Sequence, residues 1–153
     1  MKKRLIFCIT AVSAFIACNK ISENGNLDGQ WQVMEIRYQT ETGGYDSIVD
    51  KKSEQIYWMF QLDLMGIRAK VPGQFELSDN YRSRFSHVGN RLNVFDIYYH
   101  EWNVKDSLIA DEASTIFYPY GIRGNKVSFE VEQLTHDKMR LRSDYAILSF
   151  RKF

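Results

Sequence analysis

Residues 56–64 constrain the fold of this 153-residue chain most strongly, because apolar and polar side chains alternate along them. Five apolar residues stand at every second position: Ile56, Trp58, Phe60, Leu62 and Leu64. Successive side chains of a β-strand point to opposite faces, whereas an α-helix repeats about every 3.6 residues. The stretch therefore predicts a strand with one buried face.

Other segments also favour β-structure. Gly89 and Asn90 separate two predicted strands, residues 81–88 and 91–97, and glycine accepts the positive φ of a two-residue hairpin loop. Around Trp31 and Val33 the residues favour a strand, although neither alternate face is purely apolar. Further strands are predicted at residues 67–71, 115–120, 127–131, 139–141 and 146–153, with a turn at residues 65–66 and a short helix at residues 106–114. About eight strands with short connections predict an all-β, antiparallel barrel or sandwich.

The first 18 residues have a different character. Three basic residues at positions 2–4 precede an apolar run over residues 5–17, and Cys18 follows the small residue Ala17. The run is shorter than the roughly 20 residues that span a bilayer core, so a permanent transmembrane anchor is not expected. The order resembles a bacterial lipoprotein signal peptide with its lipobox, in which Phe15 stands where family members more often carry Leu. An ordinary secretory signal before an unmodified Cys18 is the alternative.

That resemblance implies a helical signal peptide over residues 1–17, lipidation at Cys18 and membrane attachment through acyl chains. Residues 18–26 are then a flexible tether, and Cys8 is removed with the signal, so the folded domain contains no disulfide. Loss of the three basic residues changes the formal net charge from +1 to −2. Without a basic cluster, this balance argues against nucleic-acid binding.

No motif in the chain predicts catalysis, a cofactor or a metal site. The three histidines, His87, His100 and His136, lie far apart, and no His-Glu-x-x-His pattern occurs. Neither a Gly-x-Ser-x-Gly turn nor a phosphate-binding glycine loop is found in the sequence. The chain is therefore predicted not to be an enzyme, with a metal site built across strands and an unrecognised hydrolase as alternatives.

Both ends of the predicted domain carry short motifs. Gly29 and Trp31 form a Gly-x-Trp at the first strand, and the last strand contains Arg151 in Leu-Ser-Phe-Arg-Lys-Phe. These motifs resemble the small lipocalin-like lipoproteins of Bacteroidetes. The resemblance implies an up-and-down barrel of about eight strands over residues 27–153, in which Trp31 closes the bottom and Arg151 or Arg142 packs over it. It also implies attachment to the outer membrane in the cell envelope, as a monomer.

Aromatic residues, 14% of the chain, provide the remaining candidates for function. Five of them are predicted to line a cavity for a small apolar ligand: Trp58, Phe60, Phe95, Trp102 and Phe129. A packed core is the competing interpretation, because large aromatic residues tend to fill an eight-stranded barrel. Four tyrosines are instead expected at a rim that contacts an envelope protein or a glycan: Tyr98, Tyr99, Tyr118 and Tyr120.

Overall fold

The structure is a computed structural model that describes residues 22–69, 81–99 and 106–153. These ranges contain the strands β1 (Gly29–Tyr38), β2 (Val49–Asp50), β3 (Ile56–Gln61), β4 (Leu64–Ala69), β5 (Tyr81–Val88), β6 (Arg91–Tyr99), β7 (Ser107–Leu108), β8 (Val127–Leu134), β9 (Lys138–Arg142) and β10 (Ala146–Lys152). Three 3₁₀ turns cover Gly25–Leu27, Lys52–Glu54 and Tyr118–Tyr120. No helix in these ranges is long and apolar enough to cross a membrane.

Eight of these strands form a closed antiparallel barrel. Each of β1, β3, β4, β5, β6, β8, β9 and β10 pairs with the next, and β10 pairs back onto β1. The two-residue strands β2 and β7 lie outside this ring, against β1 and β6. Closure leaves no long unpaired edge, which protects an all-β domain from strand addition by other chains. The predicted eight-stranded up-and-down barrel is confirmed.

A bulge in β1 explains why neither alternate face of this segment is purely apolar. The register with β10 shifts between Val33 and Glu35. An extra residue in one strand reverses the inward and outward alternation beyond it. Trp31 and Val33 point inward before the bulge, and Ile36 points inward after it, so all three are fully buried.

Two hairpins at one end of the barrel differ in how well the sequence predicts them. Val88 pairs with Arg91 across the loop of Gly89 and Asn90, as predicted. The strand predicted over residues 56–64 is wrong at its end, because the chain turns at Leu62, which has a φ of 57°. Leu64 already belongs to β4, pairs with Gln61 and points outward. The turn predicted at residues 65–66 is therefore wrong as well.

The segment before β8 also departs from the sequence prediction. The helix predicted over residues 106–114 is replaced by β7, which pairs with the end of β6. The strand predicted over residues 115–120 is a loop with a 3₁₀ turn, because Pro119 has no N–H to donate and Gly121 adopts a φ of +78°. The Gly124 N–H donates to the Ser114 carbonyl at 3.2 Å and closes this loop. We call residues 114–124 the plug segment.

The two ends of the barrel differ. The base carries the start of β1, the end of β10 and three short turns: residues 62–63, 89–90 and 135–137. The mouth carries the opposite ends of these strands, and the plug segment lies over it. Residues 22–28 lie at the base, where Asn24 donates to the Leu62 carbonyl at 2.8 Å. Part of the predicted tether is thus bound to the barrel, whereas residues 18–21 and the predicted signal peptide lie outside the described residues.

Candidate functional site

The interior of the barrel is the first candidate site, and it contains a cluster of contacting aromatic rings. The centroid of the Trp58 ring lies 5.0 Å from that of Phe150 and 5.8 Å from that of Phe129. Phe60 lies 6.4 Å from Trp58 and packs edge-on against Phe85 at 5.2 Å. These distances are typical of favourable aromatic pairs. Aromatic side chains therefore pack against one another where a ligand of this fold would lie.

The plug segment closes the mouth with three buried side chains, Phe117, Tyr120 and Ile122. Phe117 packs edge-on against Tyr81, with ring centroids 4.9 Å apart. Gly121 sits so close to Leu148 that an added Cβ would lie 2.7 Å from its Cδ2 atom. These contacts make the plug segment part of the hydrophobic core.

One polar group in the interior is not satisfied. The indole Nε1 of Trp58 is buried and has no hydrogen-bond partner among the described residues. By contrast, Nε1 of Trp31 donates to the Leu27 carbonyl at 2.7 Å. An unpaired donor in an apolar site is unfavourable, so Trp58 marks an interior position where an oxygen acceptor would be gained. Nε2 of His87, on the inward-facing row of β5, is the other unpaired buried nitrogen in the described part of the chain.

The five residues predicted to line a cavity have different positions. Trp58, Phe60 and Phe129 meet in the buried cluster. Phe95 is half-buried and lies outside this cluster, because it follows the inward-facing Val94 and pairs with the exposed Arg84 on the outer face. Trp102 lies outside the described residues.

At the base, the predicted partner of Trp31 is corrected. Trp31 and Lys152 are directly opposite each other in the β1 and β10 pair, and the Lys152 Nζ lies 4.8 Å from the ring centroid. Arg151, one residue away, points to the other face and donates to Gln32 Oε1 at 3.0 Å. Neighbouring residues of a strand point to opposite sides, so only one of the two cations can face Trp31.

The other predicted partner and Gly29 complete the base motif. Arg142 pairs with Glu132 and lies 5.9 Å from the Tyr45 ring, far from the base. Gly29 has a φ of +115°, and a Cβ there would lie 3.1 Å from Cε of Lys152. Glycine therefore provides both the backbone conformation and the space that the lysine side chain occupies.

Tyrosines do gather at the mouth, but three of the four lie at positions that the sequence did not suggest. Tyr145 contacts Tyr118 at 5.0 Å and Tyr38 at 5.4 Å, and the guanidinium of Arg123 lies 4.4 Å above its ring. Of the predicted rim residues, Tyr118 is present, Tyr98 and Tyr99 are half-buried on β6, and Tyr120 is in the core. The tyrosine rim consists of Tyr38, Tyr45, Tyr118 and Tyr145.

Next to this rim lies a groove on the outer wall with a volume of about 670 Å³, which we call the outer groove. Its walls come from β6, from β8 and the loop before it, and from the end of β9 with the turn that follows. Four basic side chains line it, Arg91, Arg123, Lys126 and Arg142, together with the acids Glu130 and Asp144 and the neutral residues Asn93, Ser128 and Ser143. The groove thus combines cations, hydrogen-bond acceptors and hydroxyl groups on one exposed surface.

The described residues contain no group of three His, Cys, Asp or Glu side chains close enough to hold a metal ion. His136 lies in the exposed turn between β8 and β9, and His87 lies near the base. His100 and Cys18 are outside the described residues. The described histidines are thus not brought together.

Comparisons with known proteins agree with this architecture. A profile described as a lipocalin-like domain matches residues 12–153. A lipocalin-like protein from Bacteroides uniformis is similar in structure, with 21% identity, a TM-score of 0.53 and coverage of 84% of this chain and 100% of that chain. An uncharacterized protein from Bacteroides eggerthii is 22% identical with a TM-score of 0.51, over 83% of this chain and 99% of the other. No curated protein matches the sequence. The match over most of the chain and the closed eight-stranded barrel together place the protein in the lipocalin-like domain family.

Proposed function

We propose that the protein is a lipid-anchored, monomeric binding domain of the cell envelope that acts without catalysis and contacts its partner through the outside of the barrel. One observation carries the proposal: in the described part of the chain, aromatic side chains pack against one another across the barrel interior. Trp58 packs against Phe129 and Phe150, and the plug segment adds three more buried side chains at the mouth. Because an eight-stranded barrel either fills with side chains or holds one small ligand, this packing favours binding at the surface.

The proposed lipid anchor fits the position of the base. The segment after Cys18 reaches the barrel at Ser22, and Lys152 Nζ holds this segment by donating to the Asn26 carbonyl at 2.8 Å. Four residues extend over at most about 14 Å. The anchor therefore brings the base close to the outer membrane and leaves the tyrosine rim pointing away from it, toward an envelope protein or glycan.

Acyl labelling of the full chain in a Gram-negative host tests the anchor. The unmodified chain is expected to incorporate labelled palmitate, and Cys18→Ser is expected to incorporate none. Cys8→Ser is the matched control, because Cys8 lies in the segment that the signal peptidase would remove and its loss should leave labelling intact. Label that survives in Cys18→Ser would contradict lipidation at this residue.

A small apolar ligand inside the barrel is the second candidate, and the unpaired Nε1 of Trp58 favours it. A ligand with one acceptor oxygen would satisfy this donor, provided that the plug segment moved aside. Organic extraction of the full chain purified from its host, followed by mass spectrometry, separates the two candidates. A stoichiometric apolar molecule would support the second, whereas an extract without one would support binding at the surface.

A further inference from the structure

Two of the four cations in the outer groove form no ion pair with the described residues. Lys126 Nζ bonds to Glu112 at 2.6 Å, and Arg142 pairs with Glu132, so two of the four cations have acidic partners. Arg91 has no acidic partner within 4.0 Å among the described residues. The same is true of Arg123 in the described part of the chain, whose guanidinium stacks on Tyr145 instead. Two guanidinium groups are therefore available to an anion.

The two acids in the groove restrict the kind of anion that fits. Glu130 is in register with Arg91 on one side and Arg142 on the other, and it forms no ion pair with the described residues. Asp144 lines the same groove. Both carboxylates would repel a densely charged polyanion, but they would accept hydrogen bonds from hydroxyl groups. A ligand that carries both an anionic group and hydroxyl groups meets this requirement.

The neutral residues and the size of the groove also favour a ligand that carries both an anionic group and hydroxyl groups. Ser128 donates to Asn93 Oδ1 at 2.7 Å, so the floor of the groove is a connected hydrogen-bonding surface. A volume of about 670 Å³ is far larger than one inorganic anion and falls within the range of small-molecule sites. Arg side chains bind carboxylates through two parallel N–H bonds, which fixes the orientation of the ligand.

We propose that the outer groove binds an acidic saccharide, with one carboxylate on Arg91, another on Arg123, and its hydroxyl groups on Glu130, Asp144, Asn93 and Ser128. This inference rests on the proposed function, since it assigns a ligand class to the outside of a filled barrel. It does not depend on the lipid anchor. A negative acyl-labelling result would contradict the lipid anchor but not saccharide binding in the groove. A negative saccharide titration would contradict binding in the groove but not the lipid anchor.

Isothermal titration of the detergent-purified full chain with a trisaccharide of galacturonic acid tests the proposal. The uncharged trisaccharide of galactose and a penta-glutamate peptide serve as comparison ligands. The acidic saccharide is expected to bind at low salt and more weakly at high salt, because salt screens exposed charges. Arg91→Gln combined with Arg123→Gln should weaken it by at least about tenfold, the effect of losing one charge-assisted contact.

Lys52→Gln is the control for the single variant Arg91→Gln, because it also removes one positive charge and Lys52 is exposed and pairs with Asp50 on the β1 and β2 side of the barrel. Lys52→Gln should leave the affinity unchanged. Arg91→Gln alone should weaken binding while the stacking of Arg123 on Tyr145 stays intact, so that its effect cannot come from loss of that contact. Equal binding of the neutral trisaccharide, undiminished binding in the double variant, or no binding of any ligand would overturn the proposal. Equal or tighter binding of penta-glutamate would overturn it too, in favour of an acidic peptide.

Discussion

Lys152 is directly opposite Trp31 in the barrel wall, with its ammonium group 4.8 Å from the centre of the indole ring. The same ammonium donates to the Asn26 carbonyl at 2.8 Å. Burial lowers the pKa of Lys152, while the carboxylate of Asp28 opposes that shift. One cation therefore closes the base over Trp31 and fastens the segment that leads to the proposed anchor.

Replacing this cation should destabilise the domain more than replacing its neighbour. We expect Lys152→Met to lower the free energy of unfolding by about 1 kcal/mol, through the lost cation–π contact and the lost hydrogen bond. Arg151→Met is the matched control, since Arg151 is on the opposite face and bonds only to Gln32 in the described part of the chain. Urea unfolding of both variants checks this prediction, and an equal or larger loss in Arg151→Met would contradict it.

Gly121 should tolerate alanine poorly because of packing as well as backbone conformation. An added Cβ would lie 2.7 Å from Leu148 Cδ2, and the φ of +78° is unfavourable for any residue with a side chain. Gly43 has a similar φ of +82° but no atom within 4 Å of an added Cβ. We expect Gly121→Ala to cost about 1 to 3 kcal/mol more than Gly43→Ala in thermal or urea unfolding. Equal costs would show that the plug segment is not packed against β10.

The aromatic cluster should respond strongly to truncation. Phe129 is fully buried against Trp58, and we expect Phe129→Ala to lower the unfolding free energy by about 3 to 5 kcal/mol. Phe95→Ala, at a half-buried position outside the cluster, should cost clearly less. Chemical denaturation compares the two variants. A small effect of Phe129→Ala would mean that its side chain does not fill the core.

High pH should lower the stability of the domain through two tyrosines at the mouth, Tyr38 and Tyr120. Burial raises the pKa of Tyr38 and of Tyr120 from 10.0 to about 12, with Tyr145 and Tyr81 respectively adding to the shift. The fold favours the neutral phenols, so their contribution is complete below pH 10 and is lost as the pH rises from 10 toward 12. The unfolding free energy should fall over that window, and less steeply in Tyr38→Phe. An identical fall in the variant, together with a phenolate titration that lacks late-titrating groups, would contradict this prediction.

The sequence predicts those parts of the fold that depend on local chemistry. The hairpin at Gly89 follows from glycine between two alternating segments, and the inward rows of β3 and β10 follow from their own periodicity. A bulge is different, because the extra residue is defined only by the partner strand. The mixed faces around Trp31 reflect the bulge, but the positions of the shift after Val33 and of the positive φ at Asp96 could not be found in the sequence.

The candidate site was less predictable than the fold. Predicting that Lys152 and not Arg151 faces Trp31 requires the register between the first and last strands. These strands are separated by more than a hundred residues in the chain. The tyrosine rim joins the end of β1 to the turn before β10 and to the plug segment. Residues 115–120 are rich in aromatic residues, which favours a strand, and only Pro119 and Gly121 indicate that the segment turns instead.

Native mass spectrometry of the full chain extracted from its host membrane tests most directly whether the barrel interior is filled. The activation energy would be set just high enough to strip the detergent, so that a molecule enclosed by the barrel would be retained. A packed core predicts the mass of the acylated polypeptide starting at Cys18, with no additional small molecule bound. A reproducible extra mass of one small apolar molecule per chain would contradict the filled interior and with it the assignment of binding to the outer surface.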